Sequence, residues 1–147
     1  MTGISLRKAT LQDVPDIVAC IDAAYARYRN QIADLPPVSD GIDEDIRNNQ
    51  VWVIEADGVL AGVLVLVAAS GADFIKLANV AVHPDHGGKG LGRALIDHAI
   101  ATCKDQGFNE IRLNTHAAMT DNIGLYAHLG WHEIGRSETT VSMSRKI

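Results

Sequence analysis

The sequence predicts a single mixed α/β domain over residues 1–147, with a mostly antiparallel sheet of six to seven strands and helices on both faces. Three observations carry that prediction. Apolar, β-branched runs of strand length recur through the chain, an Asp-Gly step joins two of them, and two long amphipathic stretches at helical spacing lie before and after the central strands. A mixed sheet whose apolar runs are covered on both faces follows from that order.

Residues 4–8 alternate apolar and polar as a first strand. Asp13 then offers an N-cap, with Pro15 tolerated in the first turn of the next helix. Val14, Ile17, Val18, Ile21, Tyr25 and Tyr28 recur at helical spacing, so one stripe faces inward and its last turn carries aromatic hydroxyls. Residues 33–41 hold Pro36, Pro37 and Gly41 and read as a loop before a short helix over 43–48. Residues 51–55 and 59–67 are β-rich, and Asp57-Gly58 turns one onto the other. Ser70 and Gly71 turn the chain into a strand over 74–82, which His83-Pro84 ends because proline cannot donate to a ladder. Over 91–106, Leu91, Leu95, Ile96, Ala99, Ile100 and Cys103 form a buried arc, with Asp97, Lys104 and Asp105 outside and Gly107 as the cap. Residues 110–115 read as a fifth strand, 121–129 as a short helix closed by Gly130, and 131–134 with 139–143 as a final hairpin.

The charge balance narrows the partners. A net charge of −5 and a pI near 5.6 argue against a broad nucleic-acid footprint, although a local basic pocket is compatible with them. Cys20 and Cys103 show no metal spacing and read as buried thiols. The longest apolar run, 59–69, falls short of the roughly 20 residues of a membrane-spanning helix. No signal-peptide pattern opens the chain, so a soluble cytoplasmic protein is expected, with no membrane partner. His83 with His86, and His128 with His132, have superficially metal-like spacing, but a proline loop and Gly130 interrupt them, and no metal is expected.

Residues 80–95 read VAVHPDHGGKGLGRAL: a β-branched run, a proline stop, a glycine-rich loop and a helical start. Glycines at 87, 88, 90 and 92 let several backbone N–H groups point into one concavity, and a helix beginning near Leu91 aims its first-turn donors there. Lys89 and Arg93 add full charges, so a pyrophosphate would fit. A P-loop is excluded, because Gly90 follows Lys89 where Ser or Thr is required and His83 stands in place of the first glycine. A dinucleotide-binding GxGxxG would need glycine at Arg93.

The same stretch resembles the coenzyme-binding motif (Q/R)xxGx(G/A) of the GNAT family of N-acetyltransferases, with its glycines on Gly90 and Gly92. Asn122-Ile-Gly-Leu-Tyr126 followed by Leu129-Gly130-Trp131 resembles the family's second signature, in which a helix tyrosine precedes a Gly-aromatic pair. Two departures stand out. The usual Gln or Arg opener is Gly87, and the position before Asn79, often a carboxylate in relatives, is Ala78.

The resemblance implies a splay between strands 4 and 5 that admits acetyl-CoA as acyl donor. It implies that Val80, Ala81 and Val82 meet the pantetheine arm, with main chain of Val80 and Val82 bonding it and the Val82 N–H polarising the thioester. Gly87, Gly88, Lys89, Gly90, Leu91, Gly92 and Arg93 would hold the pyrophosphate. Tyr126 would donate a proton to the coenzyme sulfur, and Asn122, one turn earlier, would line the groove. The implied activity is direct acetyl transfer to a primary amine of a small molecule or protein. Tyr25, Tyr28, Arg29 and His116 are weaker candidates for the acceptor side. Glu55, Asp73 and Glu110 read as solvated charges at strand ends. An acyl-CoA-binding sensor with little catalysis, or a transferase of another acyl group, are the alternatives, and the oligomeric state, a homodimer included, stays open.

Overall fold

The computed structural model describes residues 3–29, 31–32, 40–68 and 71–147. Strand β1 is Ile4–Lys8, helix α1 is Val14–Arg29 and helix α2 is Ile42–Asn48. Strands β2 (Gln50–Ala56), β3 (Val59–Val67) and β4 (Ile75–Val82) lead to helix α3 (Leu91–Asp105). Strand β5 (Glu110–His116), helix α4 (Thr120–His128) and strands β6 (His132–Arg136) and β7 (Thr140–Lys146) complete the chain. The sheet is seven-stranded in the order β1-β2-β3-β4-β5-β7-β6, and β4–β5 is its parallel pair.

Local chemistry explains most of these boundaries. Asp57 and Gly58 both take positive φ, 55° and 81°, which matches a two-residue hairpin turn to the twist of β2 and β3. The start of α1 differs from expectation. Thr10 occupies the cap position of a short helical turn over Leu11–Asp13, and the Asp13 carboxylate reaches back to accept the Thr10 N–H at 2.8 Å. Both Asp13 oxygens also take the Arg7 guanidinium, at 2.8 and 2.9 Å. Asp13 therefore ties α1 to β1 instead of capping α1, and Arg7 holds its carboxyl down at about 2.

The core has two layers, one on each face of the sheet. Along β3, Val63 and Val65 face α1, while Leu64 and Leu66 face α3. Burial on both faces is why this strand reads as a continuous apolar run. Ile17 and Ile21 close the α1 layer, and Leu95, Ile96, Ile111 and Met143 build the α3 layer.

Two irregularities open the middle of the sheet. Val65 pairs with Asn79 but Leu66 pairs with Leu77, so Ala78 is the extra residue of a β-bulge. A bulge bends and twists its strand. Next to it, β4 and β5 share only the register pairs Ile75–Ile111 and Lys76–Arg112 before they diverge. The remaining length of β4 forms one wall of a cleft.

Glu110, at the closed end of this splay, is not the solvated charge expected. It is 7 % exposed and accepts hydrogen bonds from Arg112, Lys146 and the Ser144 hydroxyl. Glu55 likewise accepts from Arg7 at 2.7 Å, whereas Asp73 is exposed as expected. Pairing of β7 with β5 brings Ser144 and Lys146 to Glu110 from more than thirty residues away.

Candidate functional site

Where β4 leaves β5, backbone polar groups lose their strand partner. The His83 N–H donates to the Ala61 carbonyl of β3 at 2.8 Å. By the alternation of a strand, Val82 and Val80 turn their amides to the opposite side, into the cleft. Ala81 between them points its side chain into the α1 layer.

The glycine-rich loop follows directly. Pro84–His86 forms one short helical turn, Gly88 and Gly90 both take φ of 77°, and Gly90 occupies the cap position of α3. The first intrahelical bond shown runs from Ala94 N–H to Gly90 carbonyl at 3.0 Å, so the N–H groups of Leu91, Gly92 and Arg93 precede it. A Cβ at Gly88 or Gly90 would meet nothing within 4 Å, which leaves the backbone open to an anion. Leu91 buries its side chain in the core, so only its main chain is available there. Lys89 is exposed, its Nζ 3.3 Å from His86 Nδ1, and Arg93 pairs with Asp97 at 3.2 Å.

Between β4, α1, α3 and α4 lies a cavity of about 230 Å³. Val80, Ala81 and Val82 line it from β4, Gly92 and Ile96 from α3, and Asn122, Leu125 and Tyr126 from α4. Ala24, Tyr25, Tyr28 and Met119 close the side toward α1. The structure thus gathers residues that sequence reading singled out separately at Tyr25, Tyr28, Val80, Asn122 and Tyr126.

Tyr126 is 6 % exposed, and its ring lies edge-on to Trp131. Burial raises its pKa, and the neighbouring Tyr25 adds to the shift. The hydroxyl therefore keeps its proton at working pH and is available as a donor. Burial also raises Tyr25, with Tyr28 contributing; their rings are tilted at 6.2 Å.

Two acceptor-side candidates stand outside this lining. Arg29 turns back toward Asp22, with Nη2 3.6 Å from its carboxylate. His116 ends β5, and its Nδ1 accepts the Ala118 N–H at 3.1 Å. Ala24, Ile96, Met119 and Leu125 escaped sequence reading, because apolar residues at a helix face or turn look the same in a cavity wall as in a core. The expected loop over 33–41 falls mostly outside the described residues, as does Ser70. Among the described residues, no group of three or more His, Cys, Asp or Glu is placed to hold a metal ion, and no helix is long and apolar enough to cross a membrane. His83 Nδ1 accepts the Asp85 N–H at 3.1 Å.

The chain matches the acetyltransferase (GNAT) family model over residues 18–131. It is 31 % identical to the uncharacterized N-acetyltransferase YjgM of Escherichia coli, across 97 % of this chain and 94 % of that protein. It is 39 % identical to the ribosomal protein bS18-alanine N-acetyltransferase of Escherichia coli, over 42 % of this chain and 41 % of that one. Its fold is similar to the crystal structure of the PaiA N-acetyltransferase from Thermoplasma acidophilum in complex with coenzyme A, with a TM-score of 0.82, 19 % identity and 99 % of both chains covered.

Proposed function

Since the chain belongs to the GNAT family and is an N-acetyltransferase, we propose that it transfers an acetyl group directly from acetyl-CoA to a primary amine of a small molecule or protein. The observation that carries this reading is the cavity beside the β4–β5 splay, which Val80 and Val82 of β4, Gly92 in the first turn of α3 and Tyr126 of α4 line together. The coenzyme-bound PaiA relative, of the same fold, supports coenzyme A as the donor's carrier.

In this reading the pyrophosphate rests on the N–H groups from Gly87 to Arg93, and the pantetheine arm runs along β4. The Val82 N–H donates to the thioester oxygen, whose negative charge grows as the amine attacks. The amine nitrogen bonds to the carbonyl carbon, the carbon–sulfur bond breaks, and the electron pair leaves on sulfur. One amine proton is released, and the thiolate takes up one proton. Tyr126, protonated and buried, hydrogen-bonds the departing sulfur and supplies the relay for that proton. Tyr25 and Tyr28 form the acceptor side.

Release of free thiol from acetyl-CoA, measured against a panel of small amines and peptides, tests the proposal. The expected result is thiol release that depends on one class of acceptor, with a mass spectrum in which that acceptor gains one acetyl group. Tight coenzyme binding without transfer to any amine would favour an acyl-CoA sensor. Faster transfer from succinyl or longer thioesters would replace acetyl as the donor group.

A further inference from the structure

The sheet face that α1 covers over β2 and β3 continues onto β5 and β7, where it carries polar side chains. Arg112 and Asn114 of β5 alternate with the buried Ile111 and Leu113, and Ser142 of β7 stands opposite Asn114, its hydroxyl donating to Asn114 Oδ1 at 2.8 Å. Lys76 of β4 is in register with Arg112. Together with Phe74 and Ile134 these residues line a cavity of about 280 Å³.

That lining holds two cations and no carboxylate. Arg112 is anchored twice, by stacking its guanidinium carbon 4.0 Å from the Phe74 centroid and by giving its Nε to Glu110 at 2.6 Å, and it keeps further N–H donors. Lys76 is exposed, and among the described residues no carboxylate forms an ion pair with it. Glu110 is already taken by Arg112, Ser144 and Lys146, and Asp73 stands outside the lining. In a chain of net charge −5 this patch is locally basic, which suits an acidic ligand.

The transfer cavity reaches the same side of the sheet, where Ala24, Tyr25 and Tyr28 of α1 line it. Along β4, Lys76 lies four residues before Val80, the first strand residue of that cavity, a span of about 13 Å at strand rise. An extended peptide covers that span with about four residues. Beyond Arg112, β5 has no strand partner on its β4 side, so its backbone polar groups there are open to such a chain.

We infer that the acceptor is the N-terminus of an acidic peptide chain: its amine enters the cavity beside Tyr25 and Tyr28, and a carboxylate side chain about four residues on rests against Lys76 and Arg112. The inference rests on the acetyl-transfer reading proposed above.

Thiol release with ten-residue peptides that have a free N-terminal amine and differ only at positions 4 and 5 tests it. With glutamate at those positions, kcat/KM should be about five- to tenfold higher than with glutamine and higher again than with lysine, and the preference should shrink as salt is raised. Moving the glutamates to positions 9 and 10 should erase it. Because Arg112 also holds Glu110, the exposed Lys76 gives the variant that spares the fold: Lys76→Gln should reduce the preference and Lys76→Glu should reverse it in favour of the lysine peptide. Calorimetry of the same variants should show coenzyme A binding as in wild type. Equal kcat/KM for the three peptides, a preference that Lys76→Glu leaves unchanged, or transfer to small amines but to none of the peptides overturns the inference and leaves the acetyl-transfer reading standing. Failure to bind coenzyme A, or to acetylate any amine, overturns that reading as well.

Discussion

The Tyr126 ring stands edge-on to the Trp131 indole, with centroids 5.5 Å apart and planes at 68°. The Trp131 main-chain N–H donates to the Tyr126 carbonyl at 2.9 Å, so backbone and ring contacts together hold the phenol ring.

Tyr126→Phe keeps that ring contact and removes only the hydroxyl. The expected result is a fall in kcat of about 100-fold or more, since general acid catalysis contributes roughly 100- to 10,000-fold. KM for acetyl-CoA and the melting temperature should stay close to wild type. Steady-state thiol release alongside a thermal melt checks this, and an unchanged kcat would take Tyr126 out of the chemistry.

Gly62 lies in β3 opposite Val82 and beneath α3. A Cβ there would sit 2.8 Å from Ile54 Cγ2, 3.1 Å from Leu95 Cδ1 and 3.1 Å from the Ala81 carbonyl oxygen. The two side chains can yield, but the carbonyl moves only if β4 moves. Gly62→Ala is therefore expected to cost about 1–3 kcal/mol and to raise KM for acetyl-CoA, because Ala81 lines the cavity. Gly124→Ala is the control: it is exposed within α4, meets nothing within 4 Å, and should stabilise by about 0.5–1 kcal/mol. Urea denaturation of both variants measures the contrast.

Features set by local chemistry were legible in the sequence. Residues 91–106 read as a helix from their apolar spacing, and α3 runs Leu91–Asp105; the Asp57-Gly58 turn and the glycines before Leu91 are equally local. What depends on distant partners was not. The final hairpin was expected, but its insertion with β7 between β5 and β6 is a tertiary outcome. That insertion changes Glu110 from a surface charge into a buried one and carries Arg145 to the α3–α4 cleft. The bulge at Ala78 has the same character, because an extra residue in a strand is visible only against its partner's register.

Glu110 predicts a pH response. Arg112 first, then Ser144 and Lys146, hold its carboxyl at about 2 against an ordinary value of 4.5. Arg112 also stacks on Phe74 at 4.0 Å, which links this network to the entry of β4. A carboxylate whose folded pKa is depressed adds stability that is complete above the unfolded value and is lost as pH falls toward the folded one. Its partners are 40 % and 74 % exposed, so solvent screening reduces the contribution to about 1–2 kcal/mol. Glu110→Gln should be less stable than wild type by that amount near neutral pH, with the gap closing between about pH 4.5 and 2. Denaturant unfolding across that range reads the gap, and one of constant size would mean that Glu110 acts through packing rather than charge.

His98 predicts a second response, at higher pH and of different origin. Its ring meets Trp52 edge-on at 4.3 Å and 71°, and the buried His98 Nε2 and Trp52 Nε1 have no hydrogen-bond partner among the described residues. Lys8 Nζ already stands 5.2 Å from the centroid of the same indole, so a charge on His98 would lose hydration and gain a like neighbour. Burial accordingly lowers the His98 pKa below 6.5. A base with a depressed folded pKa stays neutral in the fold while the unfolded chain takes up a proton. Its contribution is therefore complete above about pH 6.5 and declines as pH falls toward the folded value. His98→Leu removes both the titration and an unpartnered nitrogen. The variant should be about 1 kcal/mol more stable than wild type near pH 7.5, and this advantage should widen as pH approaches about 5. Urea denaturation at several values between those limits measures it, and an advantage that stays constant would show that His98 does not carry the acid sensitivity.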